Sequence, residues 1–447
     1  MKSLKRGSRL ITLMISVFII GMIVLIAKIQ MEASFYISNS GSRNLGYIYD
    51  RNGDIIFDDN ADNGQYPDGY FKDLGNLIGD ASGQMTNTLV AKNIEKLSNY
   101  SFTSGITYKG GKAAIYSTLS HEANEAVYSA FGDKDGCAIA YNYKTGEILV
   151  CVSRPSVDPL KGYEDLAEGS LLCKAFYKTV PGSTQKIATL ISAVETMGMD
   201  ALMEKTFTCN GVYTNNTGLD IVCHNEYGHG TQNIREAFAN SCNPFFAQLV
   251  EDSGWSLANI EDCYKKLGYS VNGSEETEFS INGIISAKAS TTLEDKNEFN
   301  TQWSCIGQGT SLVSPCQLMM WQSAIANESG KSTMPYLIDH VTNVNGRTVE
   351  NASTNYSEQL FSSHTASEVK DIMLENGLNY TGKIPGYTLG IKSGTAQVKD
   401  GKEENSLLTG FVDDKDFPIA FAILIENRES YDVSTEYIAS VILDSLS

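Results

Sequence analysis

From Leu10 to Ala27 the chain runs eighteen residues without a charge, and Lys28 closes the run. At helical rise that length matches the hydrocarbon core of a bilayer. Lys2, Lys5, Arg6 and Arg9 crowd its leading flank, and no acid occurs before Glu32. Basic residues on that side predict a cytoplasmic tip (1–9), a transmembrane anchor (10–29) and an extracytoplasmic remainder. A cleaved signal peptide is the rival reading. Its apolar stretch is shorter, about 7–15 residues, and ends in small residues at the cleavage site. Here Lys28, Gln30 and Glu32 stand where that site would be. No second stretch approaches span length, so a single-pass membrane protein is expected.

Beyond the anchor the composition is that of a globular acidic protein. Lys+Arg 34 against Asp+Glu 53 gives a net charge of −19. A general nucleic-acid binder needs a basic face to neutralise phosphates, so that class is excluded. Because the basic tip lies on the other side of the membrane, the external part is more acidic than the total implies. A hydrophobic content of 42% with 10% aromatics excludes disorder. At roughly 100–200 residues per domain, the length predicts two or three domains.

An external location makes the nine cysteines informative, and an odd count leaves at least one unpaired. Cys151, Cys242, Cys305 and Cys316 sit in apolar or motif contexts that suit buried thiols. Cys209 and Cys223 flank a polar, turn-rich segment and are the best disulfide candidates. His224 and His229 nearby raise zinc as an alternative, but the spacing fits no standard zinc pattern. The expectation is a chain without metal or cofactor.

Residues 30–130 read as a small pedestal. Asp50-Arg51-Asn52-Gly53 between two apolar islands (47–49 and 54–57) signals a hairpin, and helices are expected near 86–97 and 121–131. Cys137–Tyr143 and Glu147–Val152, joined at Lys144-Thr145-Gly146, read as a second hairpin. The region 183–270 reads as mostly helical. Strands return at 387–391, 407–412 and 418–425, before a last helix with an apolar stripe of Ile438, Val441, Ile442 and Leu446. Strands at both ends with helices between predict an α/β fold of the α+β type, an antiparallel sheet assembled from distant segments and covered by helices.

Three clusters in 131–447 carry chemistry. Pro181-Gly182-Ser183-Thr184-Gln185-Lys186 opens a helix whose Ile187, Leu190, Ile191, Val194 and Met197 repeat at helical spacing. Ser183 and Lys186 therefore lie one turn apart on one side. A serine hydroxyl needs a base to become a nucleophile, and a desolvated lysine can serve. An N-cap serine with a solvated lysine gives the same letters. In Ala239-Asn240-Ser241-Cys242-Asn243-Pro244 one helix ends and another begins. Asn243 as a simple N-cap is the plain account; Ser241 and Asn243 facing a cleft is the functional one. Lys392-Ser393-Gly394-Thr395 lies on an expected strand. Gly394 there suggests close backbone approach by a ligand, and Lys392 and Thr395 offer charge and hydrogen bonds to a carboxylate; an ordinary edge strand gives the same letters.

Each cluster is weak alone, but S-x-x-K, S-x-N and K-[ST]-G in that order resemble the class B penicillin-binding proteins. Further likenesses are Lys144-Thr145-Gly146-Glu147, Ser153-Arg154-Pro155, Gly228-His229-Gly230, Ile306-Gly307-Gln308-Gly309 with Ser314-Pro315, and Thr409-Gly410-Phe411. They cover about residues 130–447. Ile391 stands where many relatives carry a small residue, and Leu407-Leu408 where an aromatic pair is common; neither removes a catalytic group.

The resemblance implies the penicillin-binding transpeptidase fold, a five-stranded antiparallel sheet flanked by helices. It implies a peptidoglycan D,D-transpeptidase that cross-links stem peptides, taken from lipid-linked precursor or existing wall, through an acyl-enzyme on Ser183. Lys186 would be general base, Ser241 a proton relay, and Asn243 a peptide ligand. Lys392, Ser393, Gly394 and Thr395 would bind the terminal carboxylate, and the backbone N–H groups of Ser183 and Thr395 would form the oxyanion hole. β-Lactams would acylate Ser183. The pedestal is too short for a glycosyltransferase domain, so the family implies a membrane glycosyltransferase partner of the shape-elongation-division-sporulation type. Rivals within the fold are a D,D-carboxypeptidase and a serine β-lactamase. A rival outside enzymology is a β-lactam sensor or a scaffold that activates the glycosyltransferase.

Overall fold

The computed structural model describes residues 2–31, 45–59, 71–98, 100–101, 105–106, 111–158, 162–273, 278–399, 401–427 and 433–447. Helix α1 (Lys2–Met31) contains the apolar run, and Ile11–Ile29 is long and apolar enough to cross a membrane, with none of it buried against the rest of the chain.

Strands β1 (Tyr47–Tyr49) and β2 (Ile55–Asp58) pair antiparallel, as expected around Asp50-Arg51-Asn52-Gly53. Asp50 Oδ1 closes the turn by accepting from the backbone N–H groups of Asn52 and Asp54 at 2.7 and 3.0 Å. The helix expected near 86–97 spans Leu89–Ser98. Next come β3 (Ala114–Ser117), α2 (His121–Ala130), β4 (Gly136–Asn142) and β5 (Ile148–Arg154). The middle of the chain supplies α3 (Lys186–Met197), α4 (Ile234–Ala239), α5 (Asn243–Glu251) and α6 (Pro315–Ala326). It is less helical than expected: 207–232 folds into two-stranded ribbons, pairing Phe207–Cys209 with Gly230–Gln232 and Val212–Thr214 with Asp220–Val222. That stretch is dense in Gly and Asn, which favour turns over helix.

After α6 come β6 (Ile338–Thr342), β7 (Thr348–Asn351), α7 (Ser363–Gly377), β8 (Leu389–Val398), β9 (Glu403–Val412), β10 (Ile419–Ile425) and α8 (Thr435–Leu446). The strands form two five-stranded sheets. The smaller has the order β7-β6-β3-β1-β2 and so draws β6 and β7 from far along the chain. The larger has the order β8-β9-β10-β4-β5, antiparallel throughout. It is the sheet expected from strands at both ends of the sequence.

Helices cover both faces of the larger sheet, and the period of two shows which residue meets which layer. Ala138, Ala140, Phe421 and Ile423 pack against Val127 of α2 and Ile438 and Ile442 of α8. Their neighbours Cys137, Ile139, Tyr141, Ala422 and Leu424 join the core around α3 and α6. A strand covered on both sides reads as an unbroken apolar run, which explains Ile-Ala-Phe-Ala-Ile-Leu-Ile in β10, buried at every position. Each such large side chain contributes about 1.5–3 kcal/mol of burial. Helix α3 lies deeper than a one-faced helix. Every residue from Lys186 to Val194 is buried, and Thr189 meets its surroundings by bonding Tyr264 Oη and Cys305 O.

Candidate active site

The end of α3 decides the chemistry. Gly182–Gln185 forms a 3₁₀ turn feeding α3 at Lys186. Because α3 is enclosed on all sides, its first residue enters the core with it. Lys186 is 0% exposed, and its Nζ donates to Ser183 Oγ at 2.6 Å and to Asn243 Oδ1 at 2.8 Å. Burial away from water, and then the charge of Lys392, drive the Lys186 amine well below the ordinary lysine range. An amine lowered in this way and held against a serine hydroxyl is placed to act as its base.

The second cluster approaches from α4 and α5. Asn233 starts α4 with a capping box to Glu236, and α4 ends at Asn240. Ser241 then adopts φ 51°, a left-handed conformation unusual outside glycine. Cys242, not Asn243, is the N-cap of α5; Asn243 is its first residue, ahead of Pro244. This displaces the plain reading of Asn243 as an N-cap and leaves its amide free to bridge. Oδ1 holds Lys186 while Nδ2 donates to Val222 O at 3.0 Å.

The third cluster is β8, at the open edge of the sheet. Lys392 Nζ donates to Ser241 Oγ at 2.9 Å and lies 5.6 Å from the ring centre of Phe238. Burial lowers its pKa to about 7. Gly394 is where the strand meets the Ser183 turn: a Cβ there would sit 3.0 Å from Ser183 N and 2.9 Å from Thr184 N. The sequence suggests that a ligand comes close to the backbone here; what comes close in the structure is the backbone of the Ser183 turn. The Ser393 Oγ accepts from Tyr380 Oη at 2.7 Å.

These groups surround a cavity of about 540 Å³ whose lining includes Ser183, Asn243, Thr395, Gln397, Glu404 and the stacked rings of Phe299 and Trp303. The fold thus gathers Ser183, Lys186, Ser241, Asn243, Lys392, Gly394 and Thr395 at one place. Tyr380, Trp303 and Glu404 were not found from sequence. Only the i, i+4 aromatic pair Phe299–Trp303 left a local trace.

One further group beside the cavity has metal-ligand character. Cys209 and Cys223, the best disulfide candidates by sequence, are both free thiols. Their sulfurs lie with a ring nitrogen of His229 and the sulfur of Cys242, all within 4.8 Å of one another. His224 stands outside this group, its Nδ1 4.0 Å from Cys223 Sγ.

Comparison with known proteins places the chain in a family and a fold. Stage V sporulation protein D of Bacillus subtilis is 30% identical over 330 residues, 69% of this chain and 48% of that protein. Peptidoglycan D,D-transpeptidase PbpA of Mycolicibacterium smegmatis is 25% identical over 352 residues, 73% of this chain and 69% of that protein. The chain therefore spans about half the length of the first and two thirds of the second. Among solved structures, the D,D-transpeptidase domain of a peptidoglycan glycosyltransferase from Eggerthella lenta superposes with TM-score 0.74 at 22% identity, covering 90% of this chain and 97% of that one. The ceftriaxone acyl-enzyme complex of penicillin-binding protein A from Mycobacterium tuberculosis gives TM-score 0.76 at 19% identity, covering 90% and 98%. At such identities the superpositions establish the fold. The family model for the penicillin binding protein transpeptidase domain matches residues 136–444, the span that holds all three motif clusters, and the chain belongs to that family as a class B penicillin-binding protein.

Proposed function

We propose that this chain is a serine D,D-transpeptidase that cross-links peptidoglycan stem peptides. The observation that carries this reading is the buried Lys186 amine bonded to both Ser183 and Asn243. Ser183 Oγ attacks the carbonyl of the penultimate D-Ala while its proton passes to Lys186 Nζ. The tetrahedral oxyanion accepts from the backbone N–H groups of Ser183 and Thr395. Ser241, held by Lys392, relays that proton from Lys186 to the departing D-Ala amine as the C–N bond breaks, which leaves Lys186 neutral again. The acyl-enzyme is then attacked by the amine of a second stem; the amine's proton passes to Lys186 and from there to Ser183 Oγ as the ester bond breaks and the new amide forms. Asn243 aligns the donor peptide, and Lys392 and Thr395 hold its terminal carboxylate. A β-lactam follows the first half of this path and stops at the acyl-enzyme.

The same reading places Ile11–Ile29 in the cell membrane, the tip before it in the cytoplasm and the catalytic domain outside, in line with the basic flank of the run. It gives the chain a membrane glycosyltransferase partner, since cross-links are needed where glycan strands are being polymerised. Incubating the full chain with labelled penicillin tests the assignment. A stable adduct on Ser183, absent in Ser183→Ala, is expected. Folded protein that forms no adduct would refute it.

A further inference from the structure

In the transpeptidase reading the donor's terminal carboxylate lies toward Lys392 and its scissile carbonyl at the Thr395 N–H. The rest of the donor stem must then leave the other way, along β8 past Gln397. Strand residues alternate faces and advance about 3.3 Å each, so Gln397 stands on the face of Thr395, about 6.6 Å further on. Both are exposed, and both line the cavity. Glu404 of β9 is paired in register with Gln397, which puts its side chain on that same face, and it too is exposed in the cavity. Its neighbour Glu403 faces the other way and pairs with Lys399 at 2.9 Å. Among the described residues no hydrogen bond or ion pair engages the Glu404 carboxylate. The cavity lining includes two acids, Asp220 and Glu404, and no lysine or arginine. Asp220 is already engaged, accepting from Thr214 Oγ1 at 2.6 Å.

We infer that Glu404 is a specificity residue that reads a side-chain ammonium on the donor stem, at the residue preceding its two D-alanines; this deepens the transpeptidase reading and rests on it. An extended donor lying along β8 carries that residue one step beyond the scissile one, beside Gln397. A lysine-like side chain holds its ammonium on a flexible four-carbon stem, which bridges to the neighbouring strand. The ammonium brings three donors, and the Glu404 carboxylate and the Gln397 amide oxygen are acceptors for them. The stacked rings of Phe299 and Trp303, half-buried in the cavity lining, give the methylenes an apolar wall. A neutral side chain at this position leaves the Glu404 charge unanswered, and a carboxylate is repelled by it. Sequence hides the residue, because Glu403-Glu404 reads as two surface acids. Only the register of β9 against β8 decides which of them faces the cleft.

Two thioester donors test this: Nα-acetyl-lysyl-D-alanyl-thioglycolate and the same compound acetylated at Nε. Attack by Ser183 Oγ forms the ester and breaks the C–S bond, the serine proton ends on the departing thiolate, and the released thiol gives the acylation rate. With the full chain in detergent at low salt, the ammonium-bearing donor should react about three- to fivefold faster, the size of an ion pair at an exposed carboxylate. Raising the salt should shrink that preference. Glu404→Gln should bring the ratio of the two rates to about one, and Glu404→Lys should turn it in favour of the acetylated donor. A ratio taken on one sample cancels any loss of folded protein. Equal rates in the native chain, or a preference retained in Glu404→Gln, would overturn the role of Glu404 while leaving acylation itself in place. A native chain that forms no acyl-enzyme with either donor or with penicillin would overturn the transpeptidase reading and this inference with it.

Discussion

Lys186 Nζ and Ser183 Oγ are 2.6 Å apart, and the lysine is shielded completely from solvent. Its position at the first turn of an enclosed helix explains both facts, since moving the amine into water would require moving α3. Removal of this base should therefore cost the full contribution of a positioned proton acceptor. Lys186→Ala is expected to slow penicillin acylation by about 10²–10⁴-fold. Lys186→Arg should fail to restore it, because a guanidinium stays protonated. Stopped-flow or gel-based acylation rates on folded protein check both outcomes.

Two buried lysines beside each other cannot titrate alike. Burial brings Lys392 down to about 7, and Lys186 is lowered well below the ordinary range by burial and by the Lys392 charge. Lys186 acts as a base once neutral, and Lys392 loses its charge through about 7 and with it the attraction for a carboxylate. The second-order acylation rate should therefore fall through about pH 7, the free-enzyme value. Lys392→Arg keeps its charge and should remove that falling limb. A native profile that is flat through neutrality would contradict loss of the Lys392 charge there.

The hairpin at 144–146, the strands near the C-terminus and the last helix were legible because turn residues and apolar runs are local signals. Ser183, Lys186, Ser241, Asn243 and Lys392 were legible only as three motifs in order, since nothing local distinguishes a catalytic serine from a helix cap. What sequence could not yield depends on long-range convergence. Short strands at 207–232 interrupt the region 183–270 that reads as mostly helical, and Cys209 and Cys223 turned out to be free and to meet Cys242. Tyr380 lies in a short 3₁₀ turn following α7, and only the fold brings it to Ser393.

Gly394 tests how tightly the strand edge is fitted to the nucleophile. A Cβ at this position would meet Ser183 N and Pro181 O at 3.0 Å and Thr184 N at 2.9 Å, all of them backbone atoms that cannot rotate away. In Gly394→Ala the strand must withdraw, taking Thr395 with it. Misplacement of about 1 Å at a reacting centre costs about 10²-fold in rate. Acylation is expected to fall by that order while the protein remains folded by circular dichroism. Near-native acylation would mean that the edge yields without disturbing Thr395.

Tyr380 separates the two hydroxyls of Lys392-Ser393-Gly394-Thr395. Thr395 lines the cavity, whereas the Ser393 hydroxyl accepts from Tyr380 Oη at 2.7 Å. Tyr380→Phe removes one hydrogen bond and should cost about 0.5–1.5 kcal/mol of stability, seen as a lower thermal midpoint. Acylation should stay within about threefold of native, under 1 kcal/mol of barrier. Thr395→Ala loses a hydrogen bond to a carboxylate, worth about 1.5–3 kcal/mol, so acylation should drop by about 10–100-fold. Equal losses in the two variants would show that Ser393 acts in the cleft alongside Thr395, and that its bond to Tyr380 gives way when substrate binds.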